Sequence, residues 1–297
     1  MRLLAVLGVV AVTAAAGGWA VTAPQPLAAT EIARQPGNSA RGARIFNVGG
    51  CASCHAAKGA KGDARLKLPG GAALVTQFGR FQPPNISPGP DGIAGWSLTD
   101  FDNAMRRGIS PDGRHYYPAF PYTSYARMTA GDVADLFAYL NTLPAAAGKA
   151  PDNAVKFPFN IRRGIGLWKR LYLDPAPVIA LPAAAPAMLR AGRYLVEGPG
   201  HCGECHTPRD LLGGPNRASW LAGAPDPEGK GKVPGLNPAA LDWSAAEIAE
   251  YLKTGFTPDY DSVGGSMTAV QANLAKLSDA DRAAIAAYLK AVPPVKP

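Results

Sequence analysis

No charged residue interrupts the chain between Leu3 and Val21, and the run predicts a helix of the roughly 18 residues that a bilayer crossing needs. Arg2 before it and Trp19 near its end suit a membrane anchor whose amino terminus stays inside. The small residues before Ala20 suit a signal peptide cut after that position. The anchor is the preferred expectation, over residues 1–24. A polar, Pro-containing stretch, TAPQPLAATEIARQPGNSA, follows, which argues against a buried core helix.

Further along, apolar positions recur at helical spacing, and they do so twice. In MTAGDVADLFAYLNTLP (128–144), Leu136, Tyr139, Leu140 and Leu143 share one face. The same pattern returns as LSDADRAAIAAYLKAVP (277–293). Thr129 and Ser278 are placed as N-caps with acidic residues in the first turn, and Pro144 and Pro293 stop the helices. GWSLTDFDNAMRRG (95–108) returns as DWSAAEIAEYLKTG (242–255), predicting middle helices that begin at Ser97 or Thr99 and at Ser244 and end at Gly108 and Gly255. CASCH (51–55) returns as CGECH, 151 positions on. Matches in one order at nearly one offset predict a duplicated domain. Each copy, 38–146 and 187–295, has about three short helices and a long Gly/Pro loop. So little helix buries little apolar surface alone, and a large flat group is expected at each centre.

Composition changes this picture only slightly. With 34 Gly and 29 Pro in 297 residues, loops surround small helical cores. The net charge of +8 is spread thinly, with no nucleic-acid motif beside it, which excludes DNA and RNA as expected partners. All four cysteines lie in the two clusters, so none is left for a disulfide framework.

Zinc needs about four soft or imidazole ligands, and each cluster has three such groups. A thioredoxin-type pair wants a βαβ setting. A disulfide inside each cluster leaves both histidines without a role. Covalent haem uses every group: Cys51 and Cys54 add to the vinyl groups of one porphyrin and His55 binds its iron, as Cys202, Cys205 and His206 do for a second. The expected fold is therefore mainly α, two tandem helical domains, each around a covalently attached haem c.

Met267, on the loop before the last helix, is the expected sixth ligand of the second haem, against a gap-filling core role. In the first domain the corresponding loop has Phe120, which cannot bind iron. Met128 and His115 are the candidates there, with an open iron as a third possibility and Met105 assigned to the core. His201 is expected to be exposed near a haem edge. No carboxylate pair, Ser/His/Asp set or phosphate loop has credible spacing.

Between the domains, 147–186 is Pro- and Ala-rich around FNIRRGIGLWKRLYL. Ile161, Ile165, Trp168 and Tyr172 share a helical face, with Arg162, Arg163, Lys169 and Arg170 on the rest. A strap packed across both domains is preferred over a partner- or membrane-binding helix, and its arginines are candidates to offset haem propionates.

These motifs, with PPNISP, YPAFPYTSYARMT and FPFNIRRGIGLWK, resemble the membrane-associated multihaem c-type cytochromes that serve as electron-transfer subunits of periplasmic alcohol, gluconate or aldehyde dehydrogenases. The resemblance covers about 38–294. It implies tandem cytochrome c domains in the periplasm or on the cytoplasmic membrane facing it. A dehydrogenase would be the donor, and a cytochrome or terminal oxidase the acceptor. It carries haem attachment onto the two Cys-x-x-Cys-His motifs and the distal role onto Met267. The chain departs in having two motifs where many relatives have three, and PAFPY where many have PAMPY. The competing class is a dihaem peroxidase or thiosulfate-oxidising enzyme acting at an open first haem; a gas or redox sensor would need a signalling domain that the sequence lacks.

Overall fold

The computed structural model describes residues 2–226 and 231–296. Helix α1 (Arg2–Val21) stands clear of the rest, with none of Leu4–Val21 buried. The first domain contains α2 (Ser39–Val48), α3 (Cys51–His55), α4 (Leu98–Asp102), α5 (Tyr122–Tyr125) and α6 (Ala130–Leu140). After α7 (Ile165–Tyr172) in the connecting segment, the second domain repeats the order as α8 (Ala187–Glu197), α9 (Gly203–His206), α10 (Ala245–Thr254), α11 (Met267–Leu274) and α12 (Asp279–Ala291). Among the described residues, each domain has five α-helices where three were expected. The attachment motif forms a turn of its own, and the loop before the terminal helix forms another.

Strands are few. β1 (Leu74–Thr76) and β2 (Gly79–Phe81) make an antiparallel hairpin, joined on its β2 edge by β3 (Ala154–Val155) from the connecting segment. β4 (Ala224–Pro225) pairs with β5 (Lys232–Val233) in the second domain.

Helix starts follow their caps. Ser97, rather than Thr99, caps α4 by accepting from the Asp100 N–H, and Thr129, Ser244 and Ser278 cap α6, α10 and α12 the same way. Past Asp102 the helix widens into a π turn over Asn103–Arg107. Gly108 and Gly255 then end the two middle helices at φ of 59° and 81°, values that cost glycine nothing.

In each domain the first and last helices cross closely, α2 on α6 and α8 on α12. Glycine makes this possible. A Cβ on Gly42 would lie 1.9 Å from the Asp135 carbonyl oxygen, and one on Gly192 would lie 1.9 Å from that of Ala284. Ile45, Phe46, Leu136 and Leu140 fill the first core; Leu195, Val196, Ile285 and Leu289 fill the second. Gly192→Ala is expected to force α8 from α12 and destabilise the protein by about 1–3 kcal/mol, the usual cost of overpacking. A lowered denaturant midpoint would show it. Gly131→Ala, whose new methyl would meet nothing closer than 3.8 Å, is the control expected to hold or gain stability.

The domains meet through exchanged contacts. Arg44 on α2 makes a bidentate pair with Asp281 on α12, at 2.9 and 2.7 Å. At the matching positions with roles reversed, the Tyr194 hydroxyl on α8 donates to Asp132 on α6. Such reciprocity is the mark of a twofold relation. Val48 of α2 is buried in the second domain's core, which extends the apolar contact across the junction.

The connecting segment works as a strap. The Trp168 indole N–H donates to the Leu212 carbonyl at 2.9 Å and the Tyr172 hydroxyl to Asp210 at 2.7 Å, both in the second domain. Lys169 turns the other way, its Nζ donating to the carbonyls of Arg107 and Gly108 in the first domain at 2.6 and 2.7 Å. Lys169 thus leaves the solvent face assigned to it from periodicity, while Ile161 is exposed. Arg163 and Arg170 hold the end of α1 instead: Arg163 lies 3.8 Å over the Trp19 ring, and Arg170 donates to the Val21 carbonyl.

Candidate functional site

Each Cys-x-x-Cys-His forms a single turn, which puts its two thiols and its imidazole on one short segment. A proline carbonyl then orients each imidazole. His55 Nδ1–H donates to the Pro84 carbonyl at 2.8 Å, and His206 Nδ1–H to that of Pro234 at 2.7 Å. A proton held at Nδ1 leaves the Nε2 lone pair for a metal, the usual outer-shell arrangement of a ligating histidine. Buried asparagines pin the two proline loops. Asn85 donates to the carbonyls of Ala146 and Gly148, and Asn237 to those of Leu221 and Val295. Pro84 and Asn85 lie in the PPNISP motif that carries part of the family resemblance, whereas Pro234 and Asn237 did not stand out, although VPGLN lies at nearly the repeat offset.

None of the four cysteines is paired in a disulfide. Desolvation pushes Cys51 and Cys202 up to about 12, and Cys54 and Cys205 upward as well. Cys54 and Cys205 are nonetheless open to solvent, so they line concave walls. Burial also lowers both His55 and His206, keeping the imidazoles neutral. No group of three His, Cys, Asp or Glu suited to a bare metal ion occurs among the described residues. Paired apolar-walled thiols beside a tautomer-fixed imidazole fit a covalently attached haem.

The two motifs are cross-bonded. Ser53 accepts from the Asn273 amide at 2.8 Å and donates to the Ala269 carbonyl at 3.2 Å, both on α11 of the other domain. Its counterpart Glu204 accepts from the hydroxyls of Thr123 and Ser124 on α5, each at 2.7 Å. Burial works to raise the Glu204 carboxyl, but Arg209 and these hydroxyls outweigh it and hold it below its usual value. His201 bridges as well, its Nε2 bonded to the Gly49 carbonyl at 3.1 Å and its ring edge-on to Tyr125. It is half-buried at the junction rather than exposed at a rim.

For the sixth ligands, a repeated bridge sets the register. Ile109 pairs with His115 and Phe256 with Ser262, an offset of 147 that makes Phe120 the counterpart of Met267. Met267 opens α11 and packs on the second core together with Cys202. Met128, 3% exposed, lines one small cavity with Cys51 and Met105. His115 is elsewhere. Its Nε2–H donates to the Thr22 carbonyl at 2.9 Å, and its Nδ1 accepts from Lys169 at 3.1 Å. With both ring nitrogens engaged and the side chain 4% exposed, His115 leaves the ligand set.

The cytochrome c family model matches residues 39–144 and again 190–293. The chain belongs to the cytochrome c family. Its two domains carry two covalently bound haems c, and the cytochrome is an electron-transfer protein. It is 54% identical over 295 residues to a "Diheme cytochrome c-type" protein of Cereibacter sphaeroides, covering 99% of both chains. It is 35% identical over 275 residues to the fructose dehydrogenase cytochrome subunit of Gluconobacter japonicus, and 37% over 300 to the cytochrome c subunit of a quinone-dependent alcohol dehydrogenase of Gluconacetobacter polyoxogenes. Each of those two matches takes in 91% of the cytochrome but only 55% and 60% of the relatives' lengths. The peroxidase or thiosulfate-oxidising alternative finds no support among these relatives, which are cytochromes and dehydrogenase subunits. Helix α1 is compatible with a signal or an anchor.

Proposed function

We propose that the cytochrome passes single electrons from a periplasmic dehydrogenase to a downstream cytochrome or oxidase, with α1 holding it to the outer face of the cytoplasmic membrane. The single observation that carries this reading is that each attachment motif hydrogen-bonds a helix of the other domain, Ser53 to α11 and Glu204 to α5, which ties the two cofactor sites together through the packed domains. The dehydrogenase donor rests on the kinship with dehydrogenase subunits.

In this reading Cys51 and Cys54 hold one haem, Cys202 and Cys205 the other, and His55 and His206 give Nε2 to the irons. Bound there, a haem supplies reversible one-electron chemistry. The chain's own work is to keep everything else still. The Pro84 and Pro234 carbonyls stop the imidazoles from rotating, the apolar cores exclude water, and the cross-bonds hold the two motifs at one separation. Met267 is the sulfur donor of the second site. Met128 is that of the first, because it shares a cavity wall with Cys51.

A redox titration followed in the visible spectrum tests the proposal. Two separate one-electron steps are expected, with a sulfur-to-iron band near the red end from both sites. Met128→Leu should remove part of that band and move one step only. A single haem per chain, or a Met128→Leu spectrum identical to the parent, would count against it.

A further inference from the structure

Where α1 ends, the structure encloses a cavity of about 240 Å³ that the electron-transfer sites do not use. Ala23 and Gln25 from the chain after α1, Arg107, Ile109 and His115 from the first domain, and Gly166, Lys169, Arg170 and Leu173 from the strap form its wall. Every charged side chain in that wall is cationic. Lys169 is 8% exposed and makes its contacts to two carbonyls, the neutral His115 ring and, 4.7 Å away, the face of the Tyr122 ring, none of which carries a formal negative charge. The Arg107 Nε is buried without a hydrogen-bond partner. Burial, with Arg107 adding to it, draws the Lys169 amine down to about 7, the response of a cation that lacks a counter-charge. A forked set of N–H donors, with Lys169 and the Arg107 Nε buried and no carboxylate in the wall, is complementary to a tetrahedral oxyanion.

The position says where such an anion comes from. Arg170 and Arg163 grip the last turn of α1, and Trp19 lies under the Arg163 guanidinium. Tryptophan and arginine at the end of an apolar helix mark the headgroup level of a bilayer. In the same connecting segment Phe157, Ile161, Leu167 and Leu171 are exposed apolar side chains. Cations beside apolar side chains at headgroup depth fit one molecule: a phospholipid.

We propose that this cavity seats the phosphate of one anionic phospholipid, between Arg107, Lys169 and Arg170, with the exposed strap residues against the acyl chains. The proposal rests on α1 remaining attached as an anchor.

The test uses the full-length, haem-loaded cytochrome in mild detergent, titrated with short-chain phosphatidylglycerol and followed by native mass spectrometry. One retained lipid is expected, weakened at least tenfold in Arg107→Gln and in Arg170→Gln. An unchanged absorption spectrum certifies that the variants fold. Arg170 is exposed, so its variant is informative even if Arg107→Gln does not fold. Equal lipid retention in parent and Arg170→Gln, or no retained lipid, overturns the proposal. So does displacement of the lipid by an equal concentration of inorganic phosphate, which would mark a free-anion site, or equal binding of uncharged short-chain diacylglycerol. The intact mass of the same sample reports separately whether Leu4–Val21 is retained. A chain beginning after Ala20 would end the anchoring proposal, while the lipid count still decides the cavity.

Discussion

Changing Cys202 and Cys205 together to alanine is expected to halve the covalent haem content, from two per chain to one. Both thiols lie on the short segment that carries His206, and neither is engaged in a disulfide. Covalent attachment is the role this leaves them. His206 remains in the variant but binds through one bond, so denaturation should release whatever haem the second domain retains. The first domain keeps Cys51, Cys54 and its own buried core, so denatured chains should still stain for haem at half the parent's intensity. The second domain should also loosen, because Cys202 packs against its core. A pyridine haemochrome assay per mole of chain gives the answer. Two haems retained after denaturation would remove these cysteines from the site.

Replacing Met267 with leucine is the other change with a large expected effect. Leucine nearly conserves volume, so α11 and the second core should keep their packing. What is lost is the thioether. Axial ligation sets haem potentials over ~0.8 V, and loss of a sulfur ligand should lower the second site's potential by an amount on the order of 0.2 V. The red-end band should lose the contribution of that haem, and the first site's step should move far less. An unchanged potential for both steps would return Met267 to the role of core filler. Phe120 holds the matching place in the first domain, so a Met there should compete with Met128 for the first site and move only that site's step.

Much of the candidate site was legible because its groups are neighbours in sequence. Two cysteines and a histidine within one turn announce themselves without any knowledge of what surrounds them. The caps and stops of the main helices were legible for the same reason. Ser244 and Gly255 act on backbone groups within one turn of themselves. The surroundings of His115 were not legible because an imidazole on a loop has no periodicity to say what it faces. Thr22, 93 residues away, and Lys169, 54 away, decide that. Lys169 was misplaced on the strap for a related reason. Helical spacing identifies a face, but the strap touches both domains and so has two buried sides. The short helices α5 and α11, of four and eight residues, escaped notice because one or two turns have too few residues to show a period.

The sequence by itself determined that the domain is doubled, that each copy holds a covalent group through its own local motif, and that an apolar helix precedes them. All of that is written within single turns or in the comparison of one half with the other. Only the tertiary structure decided how the halves face each other. Ser53 reaches Asn273 and Glu204 reaches Thr123 across 220 and 81 residues. It also decided which prolines hold the imidazoles and that a ring of cations closes around the end of α1. Those relations depend on the packing of helix faces against partners distant in the chain. Residue order carries no local signal for such packing, because the same hydroxyl or carboxylate on a surface would look no different.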